Sequence, residues 1–237
     1  AWLKQKGAQI IEVDTDGIYF VPPPCEDTND LATFRGDLQA SVPKGIDIEF
    51  DGEFVAMYSY KMKNYALLDA DGEITIKGAA LKSRGLESFQ RNYLREWLRL
   101  KLQDKQDEMD RLNETYRKAI AEQQWPIKML AKTVTLQDAP ATYSAKIGDK
   151  ARGRNAAYEL ALKSGRNYRA GDQISYYVTG NKKNVSVYEN AKMISQWDSQ
   201  HRDENVPYYL DKLDSLIKKF NALTPDNQQS ELNLDME

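Results

Sequence analysis

The hydrophobic pattern of the chain changes near residue 85, and this change constrains the fold more than any other feature. Residues 8–21 and 46–78 are β-rich stretches that contain Asp-Gly pairs, which are typical of hairpin turns. Beyond residue 85, apolar residues recur at spacings of three and four, as on one face of a helix. The sequence therefore predicts an α+β fold, with an antiparallel sheet part over 1–85 and a mainly helical part over 86–237.

The front part begins with a predicted hairpin. Residues 8–21 contain two β-rich arms around the turn Asp14-Thr15-Asp16-Gly17, and the prolines at 22–24 end the second arm because proline cannot donate to a ladder. A short amphipathic helix is expected over 28–42 from its apolar spacing. Two further turns are expected within a small antiparallel sheet over 46–78, at Asp51-Gly52 and Asp71-Gly72.

The back part is predicted to contain several helices. One long helix, or two helices in line, is expected from about 86 to 123, with the charged segment 104–110 as a solvated face. The polar, acidic tail from about 225 is expected to be frayed. The other expected elements are a helix over 155–164, a strand over 173–179 and a helix over 203–221.

Composition excludes several kinds of chemistry. Cys25 and His201 are each the only residue of their type, which excludes an intrachain disulfide and a zinc site built from several Cys and His residues. A Ser–His–Asp hydrolase is disfavoured for the same reason. No run of about 18 apolar residues occurs, so no transmembrane helix is expected. Any chemistry therefore depends on carboxylates, lysines, tyrosines or bound metal ions.

Charge is distributed unevenly along the chain. The whole sequence has a net charge of −3, yet residues 140–183 contain nine cations and three anions, a local charge of +6. A basic block on an acidic protein is compatible with a face that binds phosphates. A solvated surface of mixed charge explains the same counts, and this alternative stays open.

The strongest chemical signal is the pair Asp14 and Asp16. Side chains at i and i+2 of a strand share a face, and carboxylates beside an apolar sheet are costly unless a cation offsets them. Mg²⁺, which binds one or two carboxylates plus substrate phosphates, is the natural candidate. A plain turn is the alternative. An EF-hand loop is excluded because apolar residues at 18–20 stand where further oxygen ligands are required.

Two later segments carry cations suited to phosphate contact. Lys63 and Tyr65 lie two apart and would offer a cation and a phenol on one strand face. The strand that follows leads into a glycine-flanked basic loop containing Lys77, Lys82 and Arg84. For Lys63 and Tyr65, the alternative is a cross-strand Lys–Tyr pair without a ligand. For the basic loop, the alternative is simple exposure to solvent.

In this order, the segments resemble motifs of family B DNA polymerases. EVDTDGIYFVPP, from Glu12, is similar to the family's Tyr-Gly-Asp-Thr-Asp-Ser hairpin, and KNYALL, from Lys63, is similar to its Lys-x-Tyr motif. IKGAALKSRG at 76–85 resembles the end of the palm, while GRNYRAGDQISYYVTG at 165–180 and NVPYYL at 205–210 resemble thumb segments. One Asp-Thr-Asp is a weak signal, but five collinear landmarks covering nearly the whole chain are specific.

The chain also departs from the family's pattern. Glu12 and Val13 stand where the family has Tyr-Gly, and Gly17 replaces Ser, a change that suits a hairpin turn. The family's first motif, Asp-x-x-Ser-Leu-Tyr-Pro, its fingers helix and a proofreading carboxylate cluster do not occur in these 237 residues. The resemblance therefore implies the C-terminal portion of a polymerase, with the end of the palm over 1–85 and the thumb over 86–237, inactive alone.

In the complete enzyme, the resemblance implies templated phosphodiester formation with two Mg²⁺ ions. Asp16 matches the principal metal ligand, Asp14 its lesser partner, and Thr15 would offer its backbone carbonyl, while Lys63 and Tyr65 match the pair that grips the primer near its terminus. The implied partners are primer–template DNA, a deoxynucleoside triphosphate and the remaining N-terminal part of the polymerase, with no membrane and a cytoplasmic (nucleoid) location in a prokaryote. The residues expected to hold DNA phosphates are Lys77, Lys82, Arg84, Lys146, Lys150, Arg152, Arg154, Arg166 and Arg169.

Two other function classes remain open from the residues alone. One is a non-catalytic DNA-binding module. The other is a different two-metal phosphodiester enzyme, such as a nuclease, although a nuclease should supply more acidic ligands than one hairpin provides.

Overall fold

The computed structural model describes residues 2–14, 17–24, 28–61, 63–78, 85–148 and 153–221. The chain divides into two compact units, residues 1–81 and 82–237. Helices and small antiparallel sheets occur in the described residues, so the predicted α+β class is confirmed. None of the described helices combines the length and the apolar character needed to cross a bilayer.

The described residues of the first unit form two small sheets and two helices. Its elements are α1 (Trp2–Gln5), β1 (Gln9–Val13), β2 (Ile18–Val21), α2 (Thr28–Ala40), β3 (Ala56–Lys61), β4 (Asn64–Leu68) and β5 (Ile74–Lys77). The predicted hairpin over 8–21 and the predicted helix over 28–42 are both confirmed.

The β1–β2 hairpin is antiparallel and is held on one side by a small apolar cluster. Ile10 pairs with Phe20 across the strands, and both side chains pack against the cluster. The pairing register shifts between Ile10 and Glu12, a bulge of the kind that bends a strand locally. The buried members of the cluster are Leu3, Ala8, Phe34 and Leu38.

The second sheet has the order β3-β4-β5, with β4 in the centre. Tyr65 to Leu68 are all buried, as expected for a central strand that is covered on both faces. The predicted turn at Asp71-Gly72 is confirmed: it joins β4 to β5, and Asp69 Oδ1 accepts hydrogen bonds from the backbone N–H groups of Asp71 and Glu73.

The predicted turn at Asp51-Gly52 does not join two strands, because residues 46–54 form no ladder. A side chain takes the place of a partner strand there. Gln39 Nε2 donates to the carbonyl of Ile46 at 2.8 Å, and Gln39 Oε1 accepts from the N–H of Ile48 at 2.7 Å. These bonds satisfy backbone groups that a ladder would otherwise satisfy.

The second unit combines a helical group with a third sheet. Its elements are α3 (Ser88–Leu102), α4 (Gln106–Ala121), α5 (Ile127–Leu130), β6 (Lys132–Thr135), α6 (Pro140–Gly148), α7 (Ala156–Lys163), β7 (Gln173–Val178), β8 (Ala191–Met193), a 3₁₀ turn (Ile194–Gln196) and α8 (Val206–Asn221). The predicted helix over 155–164, strand over 173–179 and helix over 203–221 are confirmed within a few residues at each end.

The segment 86–123 forms two helices that fold back on each other, so the expectation of helices in line is wrong. The break contains Asp104 in the left-handed region, with φ of 55°. Tyr93 donates to Asn113 Oδ1 at 2.6 Å and Tyr116 donates to Glu96 Oε1 at 3.1 Å, contacts that require an antiparallel pair. The apolar spacing continues smoothly through the break, which is why periodicity alone does not reveal it.

Candidate functional site

Asp14 lies at the tip of the β1–β2 hairpin, immediately after β1. Its backbone N–H donates to the carbonyl of Gly17 at 2.8 Å and closes the hairpin. The Asp14 side chain is 24 % exposed, so the carboxylate is partly withdrawn from water. Thr15 and Asp16, the other two predicted metal-binding residues, lie outside the described residues.

Lys63 brings a cation to this carboxylate. Its Nζ lies 3.2 Å from Asp14 Oδ1, although the two residues are far apart in sequence. Lys63 occupies the turn between β3 and β4 with φ of 63°, a left-handed conformation that is uncommon for a residue with a side chain. The structure therefore brings two of the sequence-predicted site residues into contact.

Tyr65 reaches the same hairpin from β4. Its ring packs edge-on against Tyr19 of β2 with centroids 5.1 Å apart, and the two hydroxyl oxygens lie 3.3 Å apart. Burial, the hydrogen bond to Tyr19 and the nearby Asp14 and Glu12 carboxylates all raise the pKa of Tyr65 above its usual value. The phenol therefore stays protonated at neutral pH and can donate a hydrogen bond.

Sequence reasoning did not identify Tyr19 or Glu12 as site residues. Glu12 pairs with Tyr19 across the hairpin, and Glu12 Oε2 accepts a hydrogen bond from Ser59 Oγ of β3 at 2.8 Å. Glu12 and Tyr19 therefore hold the hairpin against the second sheet of the same unit. The bulge near Ile11 shifts the register of these residues, and no local sequence signal marks it.

Gly78 fixes the backbone beneath Lys63. With φ of 90°, it lies so close to the β3–β4 turn that an added Cβ would be 2.2 Å from the Lys63 carbonyl oxygen and 2.7 Å from Asn64 Cα. Real Cβ atoms do not approach backbone atoms this closely, so the turn that presents Lys63 depends on glycine at this position.

Gly78→Ala is expected to destabilise the protein by about 2–4 kcal/mol, since left-handed strain of about 1 kcal/mol adds to an overlap costing about 1–3 kcal/mol. Gly72→Ala is the matched control: Gly72 also has a positive φ, but its added Cβ would meet no atom within 4 Å. Its expected cost is therefore the strain alone, about 1 kcal/mol. Urea unfolding of both variants measures the difference, and equal losses would contradict the close approach.

The remaining predicted phosphate-binding residues are only partly described. Lys77 pairs with Tyr65 across β4 and β5 and is exposed. Lys146 forms an ion pair with Asp138 at 3.0 Å, while Arg166 and Arg169 are exposed. The guanidinium of Arg154 lies over a tyrosine ring. The predicted residues outside the described ranges are Lys82, Arg84, Lys150 and Arg152.

The described residues fit a metal site only in part. Asp14 supplies the hard carboxylate oxygens that Mg²⁺ prefers, and Lys63 already offsets its charge. Among the residues that the structure describes, no three His, Cys, Asp or Glu side chains lie close enough together to hold a metal ion. The described residues therefore supply one candidate ligand.

Comparison with known proteins gives a consistent result. A sequence profile described as DNA polymerase family B matches residues 3–223. The chain is 25 % identical over 214 residues to a DNA polymerase of Methanocaldococcus jannaschii, a match that covers 86 % of this chain and 12 % of that protein. It is 30 % identical over 81 residues to a DNA polymerase of Pyrococcus glycovorans, covering 33 % of this chain and 10 % of that protein.

A solved structure has a similar fold. The family B DNA polymerase from the hyperthermophilic archaeon Pyrobaculum calidifontis superposes with a TM-score of 0.68 at 17 % sequence identity. The match covers 100 % of this chain and 28 % of that chain. The chain thus spans about a tenth of the curated relatives above and just over a quarter of this structural relative.

Proposed function

The chain belongs to DNA polymerase family B, and we propose that it forms the C-terminal part of a DNA-directed DNA polymerase. Residues 1–85 would complete the palm and residues 86–237 would form the thumb. One observation carries the proposal: the Asp-x-Asp hairpin and the Lys-x-Tyr segment meet in space, with Lys63 Nζ 3.2 Å from Asp14 Oδ1. The contact supports the proposal because the two motifs lie far apart in sequence.

The hairpin would hold the catalytic metal ions. Asp16 would be the principal ligand, Asp14 the lesser one, and Thr15 would contribute its backbone carbonyl. When bound, two Mg²⁺ ions would activate the primer 3′-hydroxyl and stabilise the charge that develops on the leaving pyrophosphate. Further ligands would come from the remaining N-terminal part of the polymerase.

Lys63 and Tyr65 would position the primer strand beside the hairpin. The Lys63 side chain is 58 % exposed, so its ammonium can contact a phosphate while remaining near Asp14. The protonated Tyr65 phenol can donate a hydrogen bond to the same strand. Both side chains lie on or beside the central strand β4, which gives them a rigid support.

Template-directed primer extension tests this function. The complete polymerase that carries these residues is expected to extend a primer with deoxynucleoside triphosphates and Mg²⁺, whereas residues 1–237 alone are expected to give no product above a protein-free control. The reason is that one hairpin does not supply the full ligand set for two metal ions. An inactive complete polymerase would contradict the proposed function. An active isolated chain would contradict the proposal that further metal ligands come from the N-terminal part of the polymerase.

The isolated chain is still expected to bind duplex DNA, weakly and with strong salt dependence. If Lys77, Arg154, Arg166, Arg169 and one further cation neutralise about five phosphates, the slope of log K against log salt should be about −4.5. Fluorescence titration over a range of salt concentrations measures the slope. A flat response would show that these cations form an ordinary solvated surface.

A further inference from the structure

A groove of about 420 Å³ lies between α3 and α4 in the second unit. Its volume falls within the range of small-molecule pockets, so it has room for several side chains of a bound segment. Leu100 of α3 and Leu112 and Tyr116 of α4 give it an apolar lining. Arg99 and Arg111 line the same groove. The groove therefore presents both apolar surface and guanidinium groups to a partner.

The anions of the groove already have partners, whereas its cations do not. Glu96 Oε1 accepts a hydrogen bond from the Tyr116 hydroxyl, and Glu108 forms an ion pair at 3.2 Å with the lysine three residues before it. Within the part of the chain that the structure describes, no ion pair involves Arg99 or Arg111, and both residues are exposed. The groove therefore favours a partner that carries carboxylates over a neutral one.

Helix α8 ends at the same end of the unit as the groove. Phe89 and Tyr209, near the starts of α3 and α8, have ring centroids 6.0 Å apart. Trp97 and Phe220, farther along the two helices, have ring centroids 5.5 Å apart. The helices therefore run in the same direction, and the chain leaves α8 at Asn221, close to the C-terminal end of α3 that lines the groove.

Residues 222–237 continue from this point and lie outside the described residues. Their sequence combines negative charge with an apolar face. The segment has four anions and no cation, namely Asp226, Glu231, Asp235 and Glu237. Leu232, Leu234 and Met236 alternate with polar residues, a period of two that puts apolar side chains on one face of an extended segment. Residues 222 to 232 reach up to about 36 Å when extended, several times the diameter of a helix.

We propose that residues 222–237 dock into this groove of their own chain. The apolar residues at 232, 234 and 236 pack against Leu100, Leu112 and Tyr116, and the carboxylates of the segment pair with Arg99 and Arg111. Modest contacts are sufficient, because the covalent link to α8 keeps the segment at a high effective concentration beside the groove. The groove residues are separate from the hairpin site and from the cations proposed to hold DNA phosphates.

Disulfide trapping on the 237-residue chain tests the docking. In a Cys25→Ser background, Thr115→Cys places a thiol in the groove, and Ser230→Cys places one on the apolar face of the segment. Lys163→Cys with Ser230→Cys is the control pair, because Lys163 is an exposed residue at the end of α7 that does not line the groove. Mass spectrometry of the dilute protein during air oxidation measures the rate of disulfide formation within one chain. Thermal melting confirms that each variant is folded.

The pair at 115 and 230 is expected to form its disulfide at least about tenfold faster than the control pair, because docking holds one thiol beside the other. Adding Leu232→Asp and Leu234→Asp should lower this rate to that of the control pair, since the apolar contacts are lost. Adding Arg99→Gln and Arg111→Gln instead should lower it by about threefold, the effect of losing exposed ion pairs.

Equal trapping rates at positions 115 and 163 would overturn the proposal, and so would disulfides that join two chains instead of closing within one. Unchanged trapping in the folded variant with Leu232→Asp and Leu234→Asp would overturn it as well. An unchanged rate after loss of both arginines would overturn their role as partners of the segment. Because trapping does not depend on primer extension, failure of this docking and failure of the proposed function are distinguishable.

Discussion

Asp16→Asn in the complete polymerase is expected to slow nucleotide incorporation by about three orders of magnitude, equivalent to about 4 kcal/mol of transition-state stabilisation. Asparagine preserves the size and the turn preference of the residue but removes the charge that would hold Mg²⁺. DNA affinity should barely change. Thermal stability should hold or rise, because the substitution removes one of two like charges that are only two residues apart in the sequence. Rapid-quench single-turnover incorporation and a melting curve measure the two effects.

Two further substitutions separate metal binding from turn formation. Asp14→Asn should reduce the rate less severely, as expected for the lesser ligand. Asp71→Asn is the matched control, because Asp71-Gly72 is another Asp-Gly turn between strands of the same unit. Its rate should equal that of the parent. An Asp16→Asn enzyme that is inactive only because it is unfolded would show that Asp14-Thr15-Asp16 is a structural turn.

Lys63→Ala in the complete polymerase is expected to raise the Kd for primer–template by about tenfold, the effect of losing one charge-assisted contact to a phosphate. Stability should change by about 0–1 kcal/mol, because the ion pair with Asp14 involves a largely exposed lysine. The Mg²⁺ concentration that gives half of the maximal rate should not rise. Titration of primer–template by fluorescence anisotropy measures the affinity.

Two controls sharpen this prediction. Lys63→Arg keeps the charge and should restore most of the affinity. Lys44→Ala removes an exposed cation elsewhere in the same unit and should have no effect. Unchanged affinity in Lys63→Ala would contradict a role for this lysine in holding the primer strand.

Local signals in the sequence predicted most of the fold. The signals act within a few residues, and the corresponding elements form: the β-rich arms of 8–21, the Asp-Gly turn at 71–72, the prolines at 22–24 and the apolar spacing of the helices. Two expectations were wrong because distant contacts decided them. Gln39 takes the place of a strand partner for residues 46–48, and α3 and α4 fold back on each other through buried Tyr93 and Tyr116.

The candidate site was predictable only as separate motifs. The sequence marked Asp14, Lys63 and Tyr65, but it did not reveal that Lys63 contacts Asp14 or that Tyr65 packs on Tyr19. These contacts depend on the strand register and on the close backbone approach of Gly78 to the β3–β4 turn. Such features arise from the pairing of segments far apart in sequence, and each segment alone carries no trace of them.

The most direct test of the central claim, that the hairpin supplies metal-binding groups to a polymerase, is a change of metal preference. Thiolates favour softer ions such as Zn²⁺, whereas carboxylates suit Mg²⁺. Single-turnover incorporation by Asp16→Cys in the complete polymerase should therefore show a ratio of Zn²⁺-supported to Mg²⁺-supported rates at least about tenfold above that of the parent. The same ratio in variant and parent, whatever the absolute rates, would contradict a role for Asp16 as a metal ligand.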